Sequence, residues 1–424
     1  MSEPLPGAER PADAICDHCG RCLSVCPVYR QSLVETDSPR GRVELTTAVA
    51  AGELIPGPRF AEIVDRCLLC RACTLACPKG VDTPSRVIRA RADLLRSRGL
   101  TARLGGAVMD ALIAHRDLMA AAVRLGGMIF KGLPADDTGR RHFPEYLPRM
   151  LAGRGVPPVS ARPLRKILPV RVPRAAGSKN RGTAVFFSGC YYGLVDPGPA
   201  EAAVRLLSLN GFDVIIPPDQ QCCGAPALFS GRLEGFRAAM RRNLRVLAAL
   251  DGPVISACPT CASALRIDYP AEADRLGGPE ADLARGLAGR VREAVTFLAD
   301  LDHPVLPGRE PAVNRVAIHQ PCHFVHAGGD SQAPADLLKR RGVDVVLNGT
   351  GLCCGGGGVS SLNNPDLAAP LGRAVAKTMA ASGAEAALAA CPGCVLQIGS
   401  HLGRLGHAMP ALHPLELLDG KESK

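Results

Sequence analysis

Two copies of one cysteine string carry the chain's most specific chemistry. The run C-x2-C-x2-C-x3-C-P occurs at Cys16, Cys19, Cys22, Cys26 and Pro27, and again at Cys67, Cys70, Cys73, Cys77 and Pro78. Thiolates at this spacing hold cubane [4Fe–4S] clusters, which move electrons one at a time. Structural zinc also uses C-x2-C pairs, but a zinc site is complete at four ligands. It has no use for a third cysteine at the same interval, or for a trailing proline repeated twice. In two-cluster modules the fourth cysteine of each run crosses to the other cluster. That assigns Cys16, Cys19, Cys22 and Cys77 to one cluster, and Cys67, Cys70, Cys73 and Cys26 to its neighbour. Arg40, Arg42, Arg66 and Arg71 lie close to these ligands in sequence. Cations there would offset cluster charge and raise its potential, although surface arginines give the same pattern.

The other ten of the eighteen cysteines reveal a duplication. Cys190, Cys222, Cys223, Cys258 and Cys261 are matched by Cys322, Cys353, Cys354, Cys391 and Cys394 at a near-constant offset of 131–133 residues. Such a repeat implies two similar units packed about a pseudo-two-fold axis. In both halves short apolar runs end on a cysteine and alternate with helical stretches, the pattern of parallel βαβ units. The runs are TAVFFSGC, FDVIIP and PVISAC, then VAIHQPC, VDVVLN and AALAAC. Cysteines at the carboxyl ends of successive strands converge where open α/β sheets hold ligands, which suits one metal centre per half. An iron–sulfur centre, structural zinc and reduced core thiols all remain open here, with vicinal cysteines favouring a multi-iron centre. Gly224 and the run Gly355 to Gly358 would let the backbone approach a metal without a side-chain clash. His319, His323 and His326 surround Cys322 as a ligand or proton relay, or as polar loop residues.

These elements divide the chain into four parts. Residues 11–98 read as a helical two-cluster ferredoxin-type domain, with helices expected over Pro39 to Leu54 and Pro84 to Arg98. Residues 99–182 read as helical and then as a Pro/Arg-rich basic linker. Residues 183–308 and 309–420 are the two cysteine-rich domains. The fold class is a multidomain α+β and α/β protein. Between Arg140 and Arg181 there are eleven Lys/Arg against one acid, Glu145, and seven prolines that include Pro157 and Pro158. That composition predicts an extended segment, either a solvated linker or a strap against an anionic partner or lipid surface. Without interleaved aromatics it is a poor nucleic-acid binder.

The bulk numbers set the outer limits. A chain of 424 residues with 47% hydrophobic content has room for about three domains. The formal net charge of +10 resides almost wholly in the basic stretch. The start of the chain has no basic-then-apolar leader pattern. The apolar stretch from Gly105 to Phe130 is interrupted by Asp110, His115, Arg116, Asp117 and Arg124, so it reads as no membrane span. So many thiols point to a reducing cytoplasm and to bound metal, with peripheral attachment at the inner face of the membrane left open.

The pattern C-x31-CCG-x33-C-x2-C resembles the cysteine-rich CCG domain family. That family includes the catalytic subunit of heterodisulfide reductase, where two such motifs hold noncubane [4Fe–4S] clusters. By this resemblance Cys190, Cys222, Cys223, Cys258 and Cys261 would hold one further centre, and Cys322, Cys353, Cys354, Cys391 and Cys394 another. The chain as a whole resembles the iron–sulfur subunit of glycolate oxidase (glycolate dehydrogenase). The resemblance is carried by CDHCGRCLSVCP, DSPRGR (Asp37 to Arg42) and VDRCLLCRACTLACPKGV (Val64 to Val81), and by the order of the units. It implies two [4Fe–4S] clusters, one or two further iron–sulfur centres, an FAD-containing partner that oxidises a 2-hydroxy acid, and a quinone or other acceptor. Both C-x2-C pairs are intact (CPTC and CPGC), which leans toward heterodisulfide-reductase-like relatives, or those serving lactate and glycerol-3-phosphate dehydrogenases. A zinc-stapled scaffold is the non-enzymatic alternative. No G-x-G-x-x-G opening a helix, G-x4-G-K-[ST] or nucleophile elbow is present. No catalytic residue is therefore assigned, and substrate oxidation is expected on a partner.

Overall fold

Short apolar runs that end on cysteines become parallel strands in both halves of the duplicated region. The computed structural model describes residues 15–97, 99–136, 138, 140–144, 146–148, 154–156, 159–308, 311, 313–357 and 360–420. The start of the chain and Arg98, Glu145, Pro157, Pro158 and Gly358 lie outside the described residues.

A two-stranded antiparallel ribbon pairs β1 (Arg141–His142) with β2 (Gly155–Val156). The first sheet contains β3 (Arg171–Val172), β4 (Gly182–Phe186), β5 (Phe212–Ile215), β6 (Val254–Ser256) and β7 (Val291–Glu293), in the order β3-β5-β4-β6-β7. The second contains β8 (Arg315–Ile318), β9 (Asp344–Asn348), β10 (Ala386–Leu388) and β11 (Ala411–Leu412), in the order β11-β10-β8-β9. Apart from β3, every strand in both sheets is parallel to its neighbours. Within each half the order is second, first, third, fourth, so the duplication read from the cysteines holds at the level of topology. The order reverses between the first and third strands, and a crevice opens there beyond their carboxyl ends. Cys190 follows β4 and Cys258 follows β6; Cys322 follows β8 and Cys391 follows β10.

The halves meet at these ends by reciprocal contacts. Tyr192, after β4, donates its hydroxyl to Ala390 O at 3.0 Å, and Thr260, after β6, bonds His323, after β8, at 3.0 Å. First-strand loop against third-strand loop, in both directions, is the relation a two-fold axis produces.

The N-terminal unit is helical, as its composition predicts. Its helices are Arg21–Val25, Pro27–Ser32, Pro39–Ala50, Pro58–Asp65, Ala72–Ala76 and Thr83–Ser97. The Pro39–Ala50 helix opens on Ser38, whose hydroxyl accepts the Gly41 N–H at 2.9 Å, and it stops short of the expected Leu54. Phe60, Val64, Val87 and Ile88 of this unit share one continuous core with Phe186, Phe187 and Leu206 of the first half.

The apolar stretch forms two helices, Leu100–Ala114 and Arg116–Phe130, broken at His115. They clasp the first half through an Arg232–Asp110 ion pair and through Arg116, which donates to Gln220 O at 3.0 Å. The basic stretch keeps most of its cations in solvent, yet its backbone is tied to both halves. Its described residues are mainly extended, with one short helix at Leu164–Ile167. Gly155 N–H donates to Ser400 Oγ at 2.8 Å in the second half, Leu164 is fully buried, and β3 pairs antiparallel with β5. The physical reason is the open edge of β5, whose backbone groups need a partner.

Candidate metal centres

The eight cysteines of the two C-P runs line two adjoining cavities. Cys16, Cys19, Cys22 and Cys77 line the first, and Cys26, Cys67 and Cys70 the second, with Cys73 between them on the walls of both. The fourth cysteine of each run thus lies across from its own run, because the Arg21–Val25 and Ala72–Ala76 helices pack against each other. Both ligand loops use the same unusual backbone: His18 (φ 54°) and Gly20 (φ 78°) in one, Leu69 (φ 53°) and Arg71 (φ 64°) in the other. Left-handed residues alternating in a turn make a concave nest of amides suited to an anionic group. Leu69 and Arg71 hold that conformation at a cost of roughly 1–2 kcal/mol each.

The donors fit an anionic metal–sulfur cluster. All eighteen cysteines are free thiols. Burial pushes the thiols of Cys22, Cys26, Cys70 and Cys73 up, so bare thiolates would be poorly tolerated without cationic metal. Arg42, 1% exposed, lines the second cavity, and its Nη2 makes no hydrogen bond, only a 3.7 Å ion pair with Asp37. Arg71 lines the same cavity and Arg40 the first, whereas Arg66 pairs with Asp37 at 3.2 Å.

In each duplicated half the five cysteines come together. Cys190 and Cys222 approach to 3.7 Å, and hydrogen bonds continue from Cys222 to Cys223, Cys261 and Cys258. In the second half Cys354 and Cys394 lie 3.0 Å apart, with Cys353 bonded to Cys354, Cys391 to Cys394, and Cys322 close to both Cys354 and Cys391. Hydrogen bonds from neighbouring thiols bring Cys223 down to about 6 and Cys391 down to about 7, and lower Cys354 as well. Each half therefore holds a thiolate ready to form beside thiols that burial and hydrogen bonding hold protonated.

The glycines of the Cys-Cys-Gly loops also serve a purpose in packing. Gly224 (φ 80°) and Gly355 (φ 75°) are left-handed, and a Cβ would strike Phe236 at 2.9 Å and Ala368 O at 2.5 Å respectively. They let the Leu233–Ala248 and Pro365–Ala380 helices close on the two loops. The close approach to sulfur occurs at Gly356, where a Cβ would lie 3.3 Å from Cys354 Sγ, and at Gly189, where it would lie 2.9 Å from Cys261 Sγ.

The four cysteine sets lie in sequence through the molecule. The second cavity abuts the second half: Cys70 faces Cys322, and Cys26, Leu68 and Leu367 pack with Cys353. His326 Nδ1 donates to Cys70 O at 2.5 Å and His323 Nε2 to Leu69 O at 3.4 Å, so these histidines seat the ligand loop. Burial lowers His323 to about 4, and its neutral Nδ1 accepts from Thr260, whose hydroxyl lies 3.5 Å from Cys391 Sγ. Asn243 and Tyr269 were not singled out from sequence, yet they fix the Cys222–Cys223 loop. Asn243 donates to Cys222 O at 3.0 Å and Tyr269 to Cys223 O at 3.1 Å. The available signal was an amide on the apolar face of the Leu233–Ala248 helix, between Met240 and Leu247.

Comparison with known proteins agrees with this arrangement. Residues 14–81 match the model of a 4Fe-4S dicluster domain, and residues 184–266 and 316–399 match that of a cysteine-rich domain. The chain is 30% identical over 420 residues to the probable glycolate oxidase iron–sulfur subunit of Bacillus subtilis, covering 95% of this chain and 92% of that one. It is 26% identical over 374 residues to the glycolate oxidase iron–sulfur subunit of Escherichia coli, covering 85% and 84%. It is also 26% identical over 412 residues to one of the subunits of the fumarate reductase (CoM/CoB) of Methanothermobacter marburgensis, covering 95% and 71%.

Proposed function

The chain belongs to the glycolate oxidase iron–sulfur subunit family, an electron-transfer subunit of an oxidoreductase, and we propose that it serves a flavin-dependent 2-hydroxy-acid dehydrogenase of the glycolate type. The observation that supports this most is the order of the four cysteine sets. Cys16, Cys19, Cys22 and Cys77 would hold the outermost [4Fe–4S] cluster, and Cys67, Cys70, Cys73 and Cys26 the next. The five cysteines of each half would hold one further centre each. Such clusters, when bound, exchange single electrons with a flavin or quinone.

The chain's own residues set the two ends of this series. Cys19 is exposed, and Ile15, Val25 and Leu75 of the same two ligand segments are exposed apolar residues. We assign that surface to an FAD-containing partner. At the other end, Arg116 of the helical hairpin holds Gln220 next to the Cys222–Cys223 loop. The hairpin's outer face is apolar, with Leu104, Val108, Leu125, Met128 and Ile129 each more than half exposed. No helix among the described residues is long and apolar enough to cross a membrane. We assign this face to peripheral contact with the cytoplasmic membrane surface, where a quinone acceptor resides.

The intact C-x2-C pairs and the likeness to the fumarate reductase (CoM/CoB) chain support a second reading, a heterodisulfide-reductase-like subunit. Anaerobic affinity purification from the native cell separates the two. The glycolate-type reading expects a co-eluting flavoprotein whose flavin bleaches with glycolate or another 2-hydroxy acid. In the Cys70→Ser complex the flavin should still bleach while quinone reduction is lost. Quinone turnover that survives Cys70→Ser sinks the wiring. A haem b or thiol–disulfide partner without flavoprotein favours the second reading.

A further inference from the structure

We infer that the second half offers a mixed imidazole–thiolate donor set, with His319 as its nitrogen ligand, so that the two duplicated halves hold chemically distinct centres. This rests on the reading that each half binds an iron–sulfur centre. The ligand atoms of His319, Cys354 and Cys394 all lie within 4.8 Å of one another, and all three residues are buried. The imidazole is also aimed. The backbone N–H of His319 donates to Leu388 O at 2.8 Å, which extends the β8–β10 ladder and fixes where the side chain starts. Its Nδ1 lies 3.2 Å from Thr350 Oγ1, and that oxygen accepts the Leu352 N–H at 3.3 Å. A ligating histidine is commonly oriented in this way, one ring nitrogen held by a neighbour, and the His319 imidazole already reaches hydrogen-bond contact with Cys354, one of its two proposed co-ligands. Here the holding residue belongs to the loop that delivers Cys353 and Cys354.

The first half supplies an internal comparison. At the repeat offset His319 corresponds to Phe187, fully buried and unable to donate. Asn243, which braces the first Cys-Cys loop, corresponds to Val375, also fully buried. The five cysteines are common to both halves, whereas the nitrogen donor belongs to one. A neutral imidazole brings no negative charge to the iron, and histidine ligation in Rieske centres raises the reduction potential above that of all-cysteine clusters. The second-half centre should therefore accept an electron more readily than the first-half centre. It is also the half that abuts Cys70.

The test uses the full-length protein assembled anaerobically with iron and sulfide, either unlabelled or grown with 15N-histidine. Pulsed EPR should show a strongly coupled nitrogen on a cluster, which changes on 15N-histidine labelling and disappears in His319→Phe. In the same variant the potential of one centre should fall, with the other centres unchanged. Iron bound beyond about eight atoms per chain, the complement of two cubanes, without a strongly coupled histidine nitrogen overturns the ligation and leaves the cluster reading intact. A coupling that survives His319→Phe overturns it equally. Iron that stops at about eight, or a single zinc held by His319, removes the underlying reading and the inference with it. Should His319→Phe fail to fold, the absence of any labelled coupling in the wild type still overturns the ligation, and His319→Leu takes its place as the variant that should remove the coupling.

Discussion

At the end of β7, the carboxyl of Glu293 is buried where charge is costly. One oxygen accepts the N–H groups of Val295 and Thr296 at 2.9 and 3.0 Å and caps the following helix, while Oε1 is buried without a hydrogen-bond partner. Burial pushes its pKa from the ordinary 4.5 up to about 7, with the capping N–H groups pulling the other way. Because the folded pKa lies above the unfolded one, the folded state binds a proton the unfolded chain lacks between these values. Stability should then fall as pH rises from about 4.5 to about 7, by about 3 kcal/mol at most, and stay low above that. Glu293→Gln keeps an accepting oxygen and removes the ionisation. Chemical denaturation should show the variant gaining on the wild type between pH 5 and pH 8. Parallel curves would mean that the ionisation is not coupled to folding. The sequence announced this residue no more than it did Asn243 or Thr350. Cysteines are legible because metal chemistry demands a residue type at a fixed interval. A cap or a brace can be supplied by several polar residues from many positions.

Among the elements, Arg91 on the Thr83–Ser97 helix does what no linear pattern reveals. It donates to Val64 O, Asp65 O and Cys67 O at 2.7–3.1 Å and to Phe229 O at 2.5 Å, tying the helix, the second ligand run and the first half together. Arg91→Ala removes a buried cation from several buried carbonyls and should cost about 3–5 kcal/mol. Arg96→Ala on the same helix, where the side chain is 87% exposed, should cost about 0–1 kcal/mol. Denaturation midpoints of the assembled protein measure both, and equal losses would show that Arg91 is not a tie. Strands and helices of the duplicated halves were legible because alternating apolar runs ending on cysteines leave few topologies open. The basic stretch was not. Its charge and prolines specify an extended chain, but β3 forms because β5 presents an open edge, which only the assembled sheet defines. The CCG glycines make the same point. Their presence was plain, but their cause was the approach of Phe236 and Ala368, residues more than ten positions away.

Over the whole molecule, the apolar outer face of the hairpin is the surface on which the proposed membrane contact rests. The inner side of the hairpin is committed to the first half, with Ile113 buried and Met109 and Met119 packed on the core. The outer side carries Leu125, Met128 and Ile129 beside the exposed cations Arg124 and Lys131. Apolar side chains bordered by cations are the composition of a helix that lies in an anionic lipid interface. Burying three such side chains in acyl chains contributes on the order of 1 kcal/mol each, so Leu125→Ser, Met128→Ser and Ile129→Ser together should weaken partitioning by roughly 10²-fold. Cosedimentation with phosphatidylglycerol-containing vesicles measures this. The wild type should bind, release partly as salt screens the cations, and bind zwitterionic vesicles less well. The triple variant should stay in the supernatant with its iron content unchanged, because none of the three residues lines a cysteine cavity. If the variant still sediments, or if wild-type binding ignores lipid charge, the hairpin does not face the membrane. The exposed surface at Cys19 would then be left as the site at which both donor and acceptor must dock.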